Sequence, residues 1–262
     1  MGARRPYVSV TGVSSEEEVD GTINLFSKYG FDFDSDYLPF LGFLVSRDTV
    51  VRGEQPRKIR YPFFGALPRL LEKTRNKAVP AIHYCTRKSS VFSEIKTLFD
   101  TYNIYDDCRC KAVQLNTAWP KPEDVSQIKN EYPNMRIILQ LSKYAMDGLK
   151  PEQIAERVVE NYSNVDYVLV DPSGGKGIGF EPVIVSEVYK ALKNKSCSAT
   201  IGFAGGLSGE NVSGKISELE QELETRNFSL DAESKLMSED QFGHNRIDLD
   251  KVEKYLKQVS CQ

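Results

Sequence analysis

The sequence has no apolar run long enough to cross a membrane. Apolar stretches such as residues 38–45 and 165–170 fall far short of the roughly 20 residues that a spanning helix needs. No apolar segment suited to a signal peptide follows the first six residues, and we therefore expect a soluble, cytoplasmic protein. The formal net charge is only −3, so there is no overall positive field of the kind that holds a nucleic acid. Composition thus argues against a nucleic acid or a membrane as partner and leaves small anionic ligands open.

Histidine and cysteine are also scarce. The chain has two histidines, His83 and His244. Its five cysteines are an odd number in a chain long enough to bury a full core, which predicts reduced thiols rather than a disulfide framework. Cys108 and Cys110 form a Cys-x-Cys pair, but no second Cys/His cluster accompanies them to complete a zinc site. We predict neither a bound metal nor a cofactor.

Short apolar runs alternate regularly with segments of helical periodicity. The runs are almost continuously apolar, as expected of parallel strands that are buried on both faces. No two of them are joined by a two-residue hairpin turn, which disfavours an antiparallel meander. The eight predicted strands are residues 7–10, 41–46, 79–84, 112–116, 136–141, 167–171, 199–203 and 228–231.

Helical signatures lie between these strands. Ser14 and Ser15 precede Glu17 and Glu18 in a capping-box pattern, and prolines stand where several other helices begin. The predicted apolar faces include Val19 and Phe26, Leu67 and Leu71, Val91 and Leu98, Val125 and Ile128, Ile154 and Val158, Val185 and Leu192, Val212 and Leu223, and Leu249 and Leu256. Eight such βα units in 262 residues predict one α/β domain, a (β/α)₈ TIM barrel spanning residues 1–262, since this fold takes about 250 residues.

Two connections are unusually long. Residues 47–61 follow strand 2 and are rich in charge, and residues 232–247 follow strand 8. Both are βα loops, which lie on the catalytic face of a barrel, where long loops usually serve function. We predict that they border a ligand site, although loops of this length are also compatible with simple surface decoration.

Polar residues stand where the apolar strands end. In a barrel these positions point into the site. Asp171 and Asp231 form a possible carboxylate pair that divides acid and base roles. For Asp171 the alternative is a turn-forming aspartate before Pro172, and for Asp231 it is binding of a ligand amine or hydroxyl. His83 is a candidate base because its ordinary pKa suits neutral pH, and a structural histidine is the alternative. The full candidate ring is Thr11, Ser46, His83, Asn116, Gln140 or Ser142, Asp171 and Asp231.

Glycines cluster in two consecutive βα loops. Paired glycines after a strand let the backbone approach an anion and direct free N–H groups at it. Plain turn geometry is the alternative, but phosphate commonly binds at this part of a barrel. The predicted phosphate-binding residues are Gly174, Gly175, Lys176 and Gly177 after strand 6, and Gly205 and Gly206 after strand 7.

The strand-end motifs together resemble those of the phosphoribosylanthranilate isomerases, barrel enzymes of tryptophan synthesis. The similarity spans most of the chain and is densest between Asp171 and Asp231. The matching segments are Ser9-Val10-Thr11-Gly12, Gly42-Phe43, Val113-Gln114-Leu115-Asn116, Asp171 with Gly174-Gly175-Lys176-Gly177, Ala204-Gly205-Gly206-Leu207 with Asn211 and Val212, and Leu230-Asp231.

The resemblance implies an Amadori rearrangement of a phosphoribosyl compound, with a strand 1 cysteine as base and the strand 6 aspartate, here Asp171, as acid. Thr11 stands at the cysteine position, and an unaided threonine hydroxyl is too weak a base near neutral pH. The family binds its substrate carboxylate with an arginine after strand 2, which makes Arg47 and Arg52 candidates. The family's strand 8 loop, Ser-Ser-Gly, is replaced by Ala232-Glu233-Ser234-Lys235, and an acid therefore appears at Glu233.

We therefore expect an enzyme that acts on a small phosphoribosyl- or sugar-phosphate-linked ligand by isomerase-like acid/base chemistry. Thr11, Arg47, Arg52, Asn116 and Glu233 are the predicted substrate-binding residues. Three alternatives stay open: cleavage of an N-glycosidic bond, a barrel that binds a phosphorylated ligand without catalysis, and a flavin-binding barrel.

Overall fold

In a computed structural model, eight parallel strands form a closed barrel in chain order, with β8 pairing to β1. The structure describes residues 4–56, 58, 60–105, 110–173 and 182–261. The predicted (β/α)₈ barrel is confirmed. Its strands are β1 (Tyr7–Thr11), β2 (Leu38–Ser46), β3 (Val79–Cys85), β4 (Ala112–Asn116), β5 (Arg136–Ser142), β6 (Tyr167–Asp171), β7 (Thr200–Ala204) and β8 (Ser229–Ala232).

Helices cover the outside of the barrel. The first begins with the predicted capping box: Ser15 accepts from the Glu18 N–H, and Glu18 accepts from the Ser15 N–H. None of the described helices is long and apolar enough to cross a membrane. They are α1 (Glu16–Lys28), α2 (Arg47–Arg52), α3 (Leu67–Lys73), α4 (Phe92–Tyr102), α5 (Pro122–Glu131), α6 (Lys143–Met146), α7 (Pro151–Asn161), α8 (Pro182–Asn194), α9 (Val212–Leu223) and α10 (Leu249–Ser260).

The two long loops contain structure that the sequence did not reveal. The loop after β2 includes α2 and a 3₁₀ turn, Phe64–Ala66, and α3 begins at Leu67. The loop after β8 folds into an antiparallel pair, β9 (Met237–Glu239) with β10 (Asn245–Ile247). Its connection is closed by the Asp240 carboxylate, which accepts from the N–H groups of residues 242 and 244. The turn has five residues, so the pattern of two-residue hairpin turns does not predict it.

Inside the barrel, side chains form an apolar lower layer and a polar upper layer. Three aromatic rings close the lower end: Tyr7 stacks on Phe40 at 4.4 Å between ring centroids, and Tyr167 meets both rings edge-on. The upper layer points toward the carboxyl ends of the strands and holds buried Thr11, His83, Gln114, Gln140, Asp171 and Asp231. Alternation along the strands therefore places these six polar side chains where the barrel opens.

Candidate functional site

A cavity of about 30 Å³ lies at the carboxyl end of the barrel. It brings together the three predicted catalytic residues, the predicted ligand residue Glu233 and one of the two predicted glycine turns. The described residues that line it are His83, Gln140, Asp171, Ser173, Ala204, Gly205, Gly206, Asp231, Glu233 and Ser234.

Asp231 is held from the β1 side. The Thr11 hydroxyl donates to its Oδ1 at 2.8 Å, and Ser9 Oγ lies 3.1 Å from the same hydroxyl. Because Thr11 donates to the carboxylate, Ser9 is left to donate to Thr11. Burial is the largest influence on Asp231, and it raises the pKa of this carboxyl. Thr11 thus orients the Asp231 carboxylate.

Asp171 is held from the β5 side. Gln140 Nε2 donates to its Oδ2 at 2.8 Å, and Ser173 donates to its Oδ1 through both its hydroxyl and its N–H. Asp171 therefore forms the turn proposed as its alternative role and also lines the cavity. Gln114 Nε2 lies 3.1 Å from Gln140 Oε1 and 3.5 Å from Asp231 Oδ2. These two amides connect the two aspartates, a role that residue identity alone did not assign to Gln114.

Glu233 is a carboxyl whose pKa lies near neutral pH. Burial raises its pKa to about 7, opposed by the Arg60 guanidinium and reinforced by Asp231 and Asp171. Arg60 Nη1 lies 2.7 Å from Glu233 Oε1, and the Glu233 side chain keeps 24% of its surface exposed. Its Cγ lies 3.6 Å from the point where a Cβ on Gly12 would stand. Glu233 therefore reaches over the end of β1.

His83 is buried in the cavity wall in its neutral form. Asn116 Nδ2 lies 3.0 Å from Nε2, so Nε2 accepts and the ring proton resides on Nδ1. Within the described part of the chain Nδ1 has no hydrogen-bond partner, and it lies 3.9 Å from Glu233 Oε2. Burial first, and then Arg60, lower the pKa of His83 to about 3. The expectation of an ordinary histidine pKa at this position is wrong, because a buried imidazole beside a guanidinium resists protonation.

The two arginines predicted to bind a substrate carboxylate do not line the cavity. Arg47 Nε pairs with Glu94 at 2.6 Å, and Arg52 is exposed on α2 beside Asp48. Arg60, from the same loop, contacts the cavity wall through Glu233. Its charge was visible in the sequence, but the fold of the loop that turns it inward was not.

The glycine turn after β7 has the backbone that its sequence suggested. Gly205 and Gly206 both have positive φ, 118° and 64°, which side chains disfavour. Asn211 fixes the turn by donating to Gly206 O and accepting from the Ser208 N–H, both at 2.9 Å. Gly174, Gly175, Lys176 and Gly177 lie outside the described residues, so phosphate binding at either turn stays a prediction. Among the described residues no group of three or more His, Cys, Asp and Glu side chains is arranged to hold a metal ion.

The sequence matches no protein-family model and no curated protein. Solved structures do resemble the fold. Phosphoribosyl anthranilate isomerase from Thermotoga maritima has a TM-score of 0.64 at 18% identity, over 98% of this chain and 100% of that one. The enzyme from Thermus thermophilus has a TM-score of 0.63 at 16% identity, over 97% and 98% of the two chains. The enzyme from Thermococcus kodakaraensis gives 0.61 at 18%, over 97% and 98%.

A Rubisco-like protein from Rhodopseudomonas palustris is also similar, with a TM-score of 0.55 at 12% identity, over 98% of this chain and 64% of that one. At these identities the likeness concerns architecture. The chain shares the closed-barrel fold of the phosphoribosylanthranilate isomerases.

Proposed function

We propose that this protein is an enzyme that isomerises a phosphoribosyl- or sugar-phosphate-linked small molecule at the mouth of the barrel. One observation carries the proposal: Asp171, Asp231 and Glu233 converge on a single cavity whose fourth side is the glycine turn after β7. Structural elements that only stabilise a barrel do not require three acids beside one another, because like charges at close range oppose ionisation.

Glu233 replaces the missing strand 1 base in this proposal. Isomerisation of an N-linked ribose needs one group that donates a proton to the ring oxygen as the C1–O bond breaks. It also needs a second group that removes the proton from C2. A carboxyl with a pKa of about 7 suits the second task at neutral pH, and Glu233 reaches over the end of β1. Asp171 is the proton donor by resemblance, and Asp231, fixed by Thr11, holds a substrate hydroxyl.

Ligand binding requires the Arg60–Glu233 pair to separate. A cavity of about 30 Å³ accommodates roughly one water, whereas a ligand site usually has about 300 Å³ or more. Separation of the pair frees the Arg60 guanidinium to bind an anionic group of the ligand. It also frees Glu233 to take up a proton, since the arginine that favours its charged form has moved away.

The test is proton exchange in D₂O. A panel of phosphoribosyl-linked compounds, beginning with phosphoribosylanthranilate, is incubated with the protein, and the ribose C2 proton is followed by NMR. We expect enzyme-dependent loss of that proton as C2 becomes a ketone, with deuterium taken up at C1 of the product, and this conversion should be lost in Glu233→Gln and partly kept in Glu233→Asp. Conversion that is undiminished in Glu233→Gln would show that another group is the base. Release of free ribose phosphate without this conversion would favour N-glycosidic cleavage instead.

A second candidate is a barrel that binds a phosphorylated ligand without turnover. The closed cavity and the replacement of the cysteine by Thr11 favour it. In that case the same panel raises the melting temperature of the protein while no compound is converted.

A further inference from the structure

The loops after β3, β4 and β5 form one continuous surface at the barrel mouth. We name residues 86–91, 117–121 and 143–146 the basic rim. Hydrogen bonds from side chains and backbone connect its three segments to each other. Thr117 Oγ1 donates to Lys88 O at 2.9 Å, and the Lys121 N–H donates to Ser89 O at 2.7 Å. Trp119 Nε1 donates to Ala145 O at 2.9 Å. The backbones of the three loops therefore have a fixed mutual arrangement.

The basic rim carries cations and no acid. Arg87, Lys88, Lys121 and Lys143 are exposed, and the three segments contain neither Asp nor Glu. None of these four side chains forms an ion pair with a residue that the structure describes. A net charge of +4 thus stands on one side of the mouth of a chain whose total is −3.

The nearest acids in sequence do not neutralise this surface. Asp124 is buried and accepts from Ser90 Oγ and from the N–H groups of residues 91 and 92 at the start of α4. Its charge is therefore balanced by that helix terminus. Glu123 and Asp147 are exposed and stand two residues and one residue beyond the second and third segments in sequence, so the four cations still outnumber the adjacent exposed acids by two. The field over the rim stays positive.

An aromatic side chain stands beside these cations with its ring uncovered. Tyr144 follows Lys143 at the start of α6 and is 73% exposed. Trp119, the other large ring of the rim, is already stacked on Tyr162 and covered by the guanidinium of Arg157. Tyr144 is thus the ring of the basic rim that remains accessible to a flat ligand group.

We propose that the basic rim binds a single-stranded nucleic acid. Several separate cations suit a chain that carries one negative charge per nucleotide, and a base can stack on an exposed ring. An acidic polypeptide satisfies the charges but has no flat base for Tyr144. The low net charge of the whole chain does not oppose this binding, because affinity for phosphates depends on clustered Lys and Arg near the contact. The proposal goes beyond the sugar-phosphate chemistry of the cavity and does not depend on it.

Fluorescence anisotropy with a labelled oligothymidylate of about 20 nucleotides tests the proposal over a range of salt concentrations. The triple variant Arg87→Ala/Lys88→Ala/Lys143→Ala is compared with Lys190→Ala/Lys193→Ala/Lys195→Ala, the α8 variant, which removes the same charge from the end of α8 and from the residue that follows it. We expect the rim variant to lower the slope of log affinity against log salt by about 2, since each phosphate contact contributes about 0.7. The α8 variant should retain the slope. Tyr144→Ala should weaken binding about tenfold without changing the slope.

Three results would overturn the proposal. They are no salt-dependent binding by the unmodified protein, an equal loss in the rim and α8 variants, and equally tight binding of polyglutamate through the same cations. The last would identify an acidic polypeptide as the partner. Circular dichroism of each variant checks the fold, and all the substituted side chains lie at the surface. Failure here leaves the D₂O exchange experiment unaffected, so the two proposals are tested separately.

Discussion

Glu233→Gln is expected to remove a pH-dependent loss of stability. The Glu233 pKa is raised from 4.5 to about 7 in the folded protein. Between these values the folded chain retains a proton that the unfolded chain has lost, so stability falls as the pH rises. The difference of about 2.5 pH units, at 1.36 kcal/mol per unit, amounts to about 3 kcal/mol. The wild-type contribution is thus fully present below pH 4.5 and absent above pH 7.

The measurement is urea-induced unfolding of both proteins at several pH values from 4 to 8. Relative to Glu233→Gln, the free energy of unfolding of the wild type should decrease by about 3 kcal/mol across that range. Titrating groups that do not interact with Glu233 cancel in the difference between the two proteins. Glu54→Gln, at an exposed position in the loop after β2, controls for the removal of one carboxyl. A difference that stays constant with pH, or that grows as the pH rises, would refute the assignment of Glu233 as a carboxyl that is protonated near neutrality.

Further predictions concern the partners of this carboxyl and the turns around it. Arg60→Met removes the cation that lowers the Glu233 pKa, so in the same unfolding series the loss of stability should extend to higher pH than in the wild type. An unchanged pH range would contradict this. Thr11→Val leaves Asp231 without its hydroxyl donor and should destabilise the protein by about 1–3 kcal/mol in urea unfolding; a loss below that range would mean that water replaces the donor. Gly206→Ala places a side chain at a φ of 64° and should cost about 1 kcal/mol in thermal unfolding; no loss would mean that the turn relaxes.

The fold was accessible from the sequence because strand burial leaves a direct pattern. The predicted strands at residues 112–116 and 167–171 agree with β4 and β6 residue for residue. β2 begins three residues before its predicted start because Pro39 tolerates an extended backbone. The hairpin after β8 was missed since its turn is made by the Asp240 side chain rather than by a two-residue glycine turn.

The site was accessible only in part. Strand ends placed Asp171, Asp231 and His83 together, since the barrel geometry fixes those positions. Arg60 was missed because its loop is shaped by hydrogen bonds within the loop itself: Gln55 donates to Pro62 O and accepts from the Phe64 N–H. The directions of the pKa shifts of Glu233 and His83 could not be predicted from the sequence either. It depends on burial and on neighbours distant in sequence, which residue identity does not disclose.

The aromatic rings of Tyr7, Phe40 and Tyr167 close the lower end of the barrel, so its interior is open at the carboxyl ends of the strands. Nothing that binds at the mouth can leave through the opposite end, because the rings fill the lower interior. In the proposed isomerisation, the product must therefore depart by the route that the next substrate uses to arrive. Competition between the two for that passage follows directly, and product inhibition of the competitive type is its kinetic signature.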